Sequence, residues 1–181
     1  MTLTRLHETG FEFQSITEVD LAAVYGSSAP TIITTAGTMR TGLAAMLFSS
    51  SAYPAGKLFA AATTQIAGGF YFRQNGVSGS SSRALIAFLT GTFEIMVGRT
   101  VTTTDLDLVV NGVVVDTIPF ATAFPAINTY YAVGVTAFAD PTTGFVSVYV
   151  DGVQILSWTG NTGSTITGFY AGGRTGALGG W

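Results

Sequence analysis

The chain offers few side chains for chemistry, and their spacing decides what chemistry is open to it. Among its 181 residues there is no cysteine and one histidine, His7. Thiolate nucleophiles and a disulfide framework are therefore excluded. Structural zinc takes three or four ligands, mostly nitrogen or sulfur, and has too few to gather. A serine triad would need His7 beside a serine and an acid; the plainer assignment is a surface or interface residue near the N-terminus. Carboxylates remain. Asp107 and Asp116 stand symmetrically about Asn111-Gly112, so a two-residue turn at that pair sets them face to face. Like charges directly opposite are unfavourable unless hydrated or bridged by a cation. The pair is thus a candidate calcium site, because calcium takes carboxylate oxygens as ligands. The plainer reading, which we prefer, is two splayed, hydrated carboxylates near a sheet edge. Asp140 and Asp151 sit in turn sequences and are read as turn residues. The remaining candidates are rings: Phe145, Tyr149 and Trp158 in one stretch, and Trp181 at the C-terminus.

Three of these rings are positioned by Gly144 to Trp158, GFVSVYVDGVQILSW, around which the rest of the chain is organised. Asp151-Gly152 between alternating apolar residues signals a type I′ hairpin, because glycine tolerates the positive φ that the turn needs. A two-residue turn sets Val150 opposite Val153, Tyr149 opposite Gln154, Val148 opposite Ile155 and Phe145 opposite Trp158. One face then carries Val146, Val148, Val150, Val153 and Ile155. The other carries Phe145, Tyr149, Leu156 and Trp158. Neither is plainly a water face, so the hairpin is expected mid-sheet, with something covering its second side. A second hairpin spans Leu106 to Asp116 about Asn111-Gly112. Its faces are Leu106, Leu108, Val110, Val113 and Val115 on one side and Asp107, Val109, Val114 and Asp116 on the other.

Strand signals dominate the rest. Gly10–Phe13, Thr31–Thr34, Gly42–Phe48, Lys57–Ala62, Gly69–Arg73, Phe93–Gly98, Tyr130–Phe138 and Ile166–Ala171 are predicted strands. Ala84–Leu89 is continuously apolar, as in a strand buried on both faces. Glu18–Tyr25 is predicted as a short helical turn, weakened by Val19 and Val24. Loops are predicted at Ser49–Gly56, Asn75–Ser82 and Pro119–Asn128. About ten to twelve short strands without a long helix define an all-β, antiparallel two-sheet sandwich or jelly roll. We expect a single domain over residues 10–175, an N-terminal arm over 1–9 and a C-terminal tail over 176–181. Trp181 follows Gly179-Gly180 and cannot belong to a regular strand; it is an anchor for a neighbour or a loose end.

Charged residues are 9% of the chain, against roughly 25% in a typical soluble domain. Lys57 is the single lysine, the six arginines are scattered, and the net charge is −3. Nucleic acid and anionic membranes favour clustered Lys and Arg, so neither is an expected partner. So little charge suits a subunit that hides surface in an assembly better than a free monomer. The opening MTLTRLHETGFEF lacks the basic-then-apolar layout of a signal peptide, and no window approaches the roughly 18 apolar residues of a membrane span. A product made in the cytoplasm is the expectation.

The run Tyr130-Tyr131-Ala132-Val133-Gly134-Val135-Thr136, followed by Gly144-Phe145-Val146-Ser147-Val148-Tyr149-Val150-Asp151-Gly152-Val153, resembles the laminin-G/concanavalin A-like jelly roll. Ala84–Phe88, Gly160-Asn161-Thr162 and Ile166–Gly172 fit the same pattern, over residues 10 to 175. The scaffold serves lectins, glycosidases, adhesion modules and viral structural proteins alike. Its glycosidases carry E-x-D-x-x-E on one strand, which Glu18-Val19-Asp20 begins, but Ala22 and Ala23 leave the third acid missing; catalysis is not expected. Its lectins imply an aromatic platform, for which Phe145, Tyr149 and Trp158 are candidates, although core or interface packing is the preferred reading. Some laminin-G-like domains hold calcium at a loop rim, which is what the resemblance implies for Asp107 and Asp116. Small cysteine-free domains rich in Gly, Thr, Ser and Ala are similar to structural proteins of tailed bacteriophages. That implies a virion subunit, most simply a capsid decoration or head-exterior protein released by lysis. Its partners would be copies of itself and the major capsid protein, with no cofactor. The alternative is a glycan-binding module of a tail fibre or spike.

Overall fold

The computed structural model describes residues 22–23, 31–33, 45–47, 55–73, 83–90, 93–99 and 105–173. The strand expected at Gly10–Phe13, the loop at Asn75–Ser82, His7, Glu18, Asp20 and Trp181 lie outside them, as do the arm and tail. The strands in chain order are β1 (Ala22–Ala23), β2 (Thr31–Ile33), β3 (Ala45–Leu47), β4 (Ala55–Thr63), β5 (Gln65–Arg73) and β6 (Arg83–Thr90). They continue with β7 (Phe93–Arg99), β8 (Asp105–Val110), β9 (Val113–Pro119), a helical turn α1 (Phe120–Ala123), β10 (Tyr130–Phe138), β11 (Gly144–Val150), β12 (Val153–Gly160) and β13 (Ile166–Gly173).

These strands form an all-β antiparallel sandwich. A seven-stranded sheet has the order β1-β4-β13-β6-β7-β8-β9, a four-stranded sheet the order β12-β11-β10-β5, and β2 pairs with β3 apart from both. Two local expectations are corrected. Ala22–Ala23 is not helical but pairs with Gly56 and Ala55 of β4, where a sheet partner satisfies backbone groups that one weak helical turn would leave open. The same pairing, with β13 on the other side, draws Ala55 and Gly56 out of the expected loop into β4. The Pro119–Asn128 crossing contains α1, which has no side-chain N-cap bond.

Alternation builds the core. In β10 the residues Tyr131, Val133, Val135 and Ala137 are buried between the sheets, while Ala132, Gly134, Thr136 and Phe138 face outward. Opposite them, Phe88, Ile95, Leu106 and Leu108 line the larger sheet. Each such side chain contributes about 1.5–3 kcal/mol on leaving water. β6 is buried on both faces, as its unbroken apolar run predicts: Ile86 and Phe88 join the core, while Ala87 packs with Met96 and Val109 on the far side. At one end Phe72, Phe120, Phe124 and Tyr131 stack ring on ring, with centroids 4.9 to 6.3 Å apart. The Tyr131 hydroxyl accepts from Ala126 N at 2.7 Å and donates to Ala126 O at 3.0 Å, pinning the loop after α1.

At the other end, buried Thr162 joins the exits of β10 and β12. Its Oγ1 donates to Phe138 O at 2.7 Å and accepts from Asp140 N at 3.0 Å, while its amide donates to Asp140 O at 3.0 Å. Gly144 is required here, because a Cβ would overlap Thr162 Oγ1 and come within 2.9 Å of two carbonyl oxygens. Thr162→Val keeps the shape but strips Phe138 O and Asp140 N of their partner. We expect a loss of about 1–3 kcal/mol in urea unfolding; an unchanged midpoint would remove Thr162 from this role.

Asp140 closes the same turn. Its Oδ1 accepts from Thr143 N at 2.7 Å, Thr142 N at 2.8 Å and the Thr142 hydroxyl at 2.9 Å. The Thr143 amide first, then the Thr142 amide and hydroxyl, hold its carboxyl at about 2, below the usual 3.8. A pKa lowered in the folded state stabilises above the unfolded value, and that contribution is lost as pH falls from about 4 to about 2. Asp140→Ala should therefore be less stable than the parent at pH 7, and the two unfolding midpoints should converge over that acid window. Midpoints that stay parallel would rule the carboxylate out.

Candidate functional site

The two hairpin turns form as predicted. Asn111 and Gly112 have φ of 56° and 77°, and Asp151 and Gly152 have 49° and 83°, the type I′ pattern. Asp151 also ties its turn to β10, accepting from Ala132 N through Oδ1 and donating its own amide to Ala132 O, both at 2.8 Å.

Beyond the turns the registers differ from those read in the sequence. In the β11–β12 hairpin Val150 faces Val153 and Tyr149 faces Gln154, but Val148 faces Leu156, Val146 faces Trp158 and Phe145 faces Thr159. Ile155 is the extra residue of a β-bulge. It moves Leu156 into the core, where it is 2% exposed. Trp158 follows it to the inner side, half-buried against the core and lying on Gly160. The expected Phe145–Tyr149–Trp158 face therefore does not exist: Phe145 and Tyr149 point outward and Trp158 inward. β11 lies inside its sheet as expected, but β12 is an edge.

The β8–β9 hairpin carries the same defect. Val109 faces Val114, but Leu108 faces Asp116 and Asp107 faces Thr117, with Val115 as the extra residue. Asp107 and Asp116 consequently lie on opposite faces, not opposite each other. Asp107, 1% exposed, accepts from the Thr117 hydroxyl at 2.8 Å. Asp116 shares the inner side with Leu108. Its Oδ1 accepts from Thr117 N at 2.9 Å, and its Oδ2 accepts from Ser157 N of β12 at 2.8 Å. Protein donors do what a bridging cation was invoked to do, and no cluster of three or more metal-ligating side chains occurs among the described residues.

What the fold does assemble is the outward face of the smaller sheet. The continuous β5–β10 register sets Ala132 beside Tyr71, Gly134 beside Gly69 and Thr136 beside Ala67. On the other side of β10, Gly134 meets Tyr149, Thr136 meets Ser147 and Phe138 meets Phe145. Small residues thus floor an open trough of about 580 Å³ between Tyr71 and Tyr149. Tyr71 is 52% exposed, and Phe145, at 39%, stacks on Phe138 with centroids 6.0 Å apart. No Asp, Glu, Lys, Arg or His is among its described lining residues. The surface can stack rings against a flat apolar partner and offer hydroxyl groups beside them.

Sequence reasoning found Tyr149 and Phe145 but missed Tyr71, Gly69 and Gly134. Alternation in Tyr130–Phe138 already marks Ala132, Gly134 and Thr136 as one face. The neighbour across the floor, β5, is more than fifty residues away in sequence, and no local signal announces that pairing.

No protein-family model and no curated protein matches the chain. Among solved structures, a Bacillus licheniformis beta-glucanase is similar at a TM-score of 0.46 and 17% identity, over 85% of this chain and 79% of that one. At that level the likeness carries over no residue role and no activity.

The bulge makes a testable distinction between the rings. Trp158→Ala should cost about 2–4 kcal/mol, because it opens space at the core rim, whereas Phe145→Ala should cost about 1 kcal/mol or less. Equal losses would contradict the assigned faces.

Proposed function

We propose that this chain is a non-enzymatic structural subunit of a virion, a capsid decoration or head-exterior protein of a tailed phage. It works by laying the outward face of its smaller sheet against a neighbouring subunit. The observation that carries this reading is the open, ring-edged trough on that face, with no charged residue among its described lining, on a chain that is only 9% charged. Contiguous apolar surface of this kind marks interaction sites, and cementing through area and repeated contacts needs no cofactor. Four of the described carboxylates support the same reading. Asp107, Asp116, Asp140 and Asp151 are each committed to hydroxyl or backbone donors within the fold, so they are not poised as a general acid–base pair across a cleft.

A second reading has its own observation. Tyr71 and Tyr149 bound a floor of glycine and alanine, a shape that also admits a neutral sugar ring stacked on tyrosine. In that case the chain is a glycan-binding module of a tail fibre or spike.

One substitution tests the face and two assays separate the readings. Gly134→Leu fills the trough; a Cβ at this position meets only Tyr149 Cβ at 3.7 Å, an ordinary contact, and an unchanged circular dichroism spectrum checks that the variant is folded. For a virion subunit, mass spectrometry of purified particles finds the chain at fixed stoichiometry, and the variant rebinds depleted particles at least tenfold more weakly. Absence from particles would overturn this reading. Glycan-array binding lost in both Gly134→Leu and Tyr71→Ala would establish the second.

A further inference from the structure

We infer that Asn111 is a modification site. Its side-chain amide is lost to attack by the Gly112 nitrogen, and the acid that results opens a clasp between the two sheets. This stands apart from the virion reading, since the chemistry needs only the turn and water.

The turn supplies an open nucleophile. Gly112 is exposed, and nothing lies within 4 Å of where its Cβ would stand. The other described asparagines, Asn128 and Asn161, each precede a threonine, whose branched side chain crowds the amide nitrogen. In the reaction the Gly112 nitrogen bonds to Cγ of Asn111 and closes a cyclic imide. The Cγ–Nδ2 bond breaks, and ammonia leaves with the proton that the Gly112 nitrogen gave up. Water then adds to one of the two ring carbonyls and breaks its bond to that nitrogen. Addition at Cγ leaves aspartate; addition at the Asn111 backbone carbonyl leaves isoaspartate, with the chain routed through the side chain.

The clasp gives the reaction its consequence. Asn111 Nδ2 donates to Asn161 O at 3.2 Å, tying the β8–β9 turn of the larger sheet to the chain leaving β12 of the smaller one. The matching turn at Asp151-Gly152 carries an acid, and there the partner is a donor, the Ala132 amide at 2.8 Å. Each turn thus has the side chain that its partner requires. Deamidation sets an acid against an acceptor. One carboxylate oxygen then faces the Asn161 carbonyl, and the other takes the place of Oδ1, which is buried and has no donor. A buried charge without donors is costly, so the clasp opens. While the Nδ2 bond lasts it directs the side-chain amide at Asn161, and attack on Cγ waits for the turn to loosen.

The test follows the full chain in mildly alkaline buffer by peptide mass spectrometry. The peptide holding Asn111 should gain the mass of amide-to-acid conversion and yield both aspartate and isoaspartate. Conversion should run roughly ten- to a hundredfold faster in urea, where the clasp is absent. Asn111→Asp supplies one product directly and should lower the urea midpoint. That loss belongs to the clasp and not to the turn, because Asp151-Gly152 already holds the same turn with φ of 49° and 83°. An Asn111 amide that outlasts this range in the folded chain would overturn the inference. So would equal rates in the folded and unfolded chain, or an Asn111→Asp midpoint equal to the parent's.

Discussion

Two one-residue bulges govern where the side chains of the β8–β9 and β11–β12 hairpins point. In each hairpin the third residue after the turn glycine, Val115 or Ile155, has no partner across the ladder. Side chains alternate with a period of two, so one inserted residue inverts every later position relative to the partner strand. The bulge at Ile155 turns Leu156 into the core, and the bulge at Val115 brings Asp116 inward. These two moves are linked. Asp116 then reaches the Ser157 amide, two positions past the other bulge, and this bond joins the two sheets along one side. Without the bulges the hairpins would still fold, but the edge of β12 would present an unpaired amide to water and Asp116 would point away from it.

This arrangement changes the meaning of the low charge. From composition, scarce charge looks like a surface property. In the structure several carboxylates are hydrogen-bonded within the fold. Asp140 holds a turn, Asp151 ties a hairpin tip to β10, Asp116 bridges the sheets, and Asp107 takes the Thr117 hydroxyl. Hydrogen bonds to a charged acceptor are stronger than those between neutral groups. Of these four, Asp140 satisfies three donors and Asp116 two. The cost falls on the surface, where the trough of the four-stranded sheet shows rings, hydroxyls and glycine floor with no charged residue among its described lining.

Much of the architecture was legible in the sequence because it depends on local rules. The Asn111-Gly112 and Asp151-Gly152 turns follow from the need for positive φ, and β10 follows from strict alternation over Tyr130–Phe138. β6 follows from a run too short for a helix and apolar on both sides. The errors in side-chain direction have one cause. A bulge of this kind needs no glycine and no special residue, so Val115 and Ile155 look like ordinary strand positions. From those two residues came the false pairing of Asp107 with Asp116 and the false face containing Trp158. The site was half legible for a different reason. Tyr149 and Phe145 lie in a hairpin whose partners are neighbours in sequence, whereas Tyr71 and Gly69 arrive through a pairing between β5 and β10 that only the closed fold defines.

The same contrast explains why, among the described residues, the small sheet and not the centre of the large one carries an open apolar surface. The centre of the larger sheet is apolar on both sides: Ile86 and Phe88 point one way and Ala87 the other, with Met96 and Val109 beside it, all buried. The smaller sheet has a single buried side. Its other side is built from residues that fill little space, Ala67, Gly69, Ala132 and Gly134, and so it cannot cover its own backbone. A sheet floored with glycine is weakly held by side-chain packing, and here the core beneath it supplies the stability. What remains above the floor is an open surface edged by the rings of Tyr71 and Tyr149, and apolar surface of this kind gains from burial against a flat apolar partner.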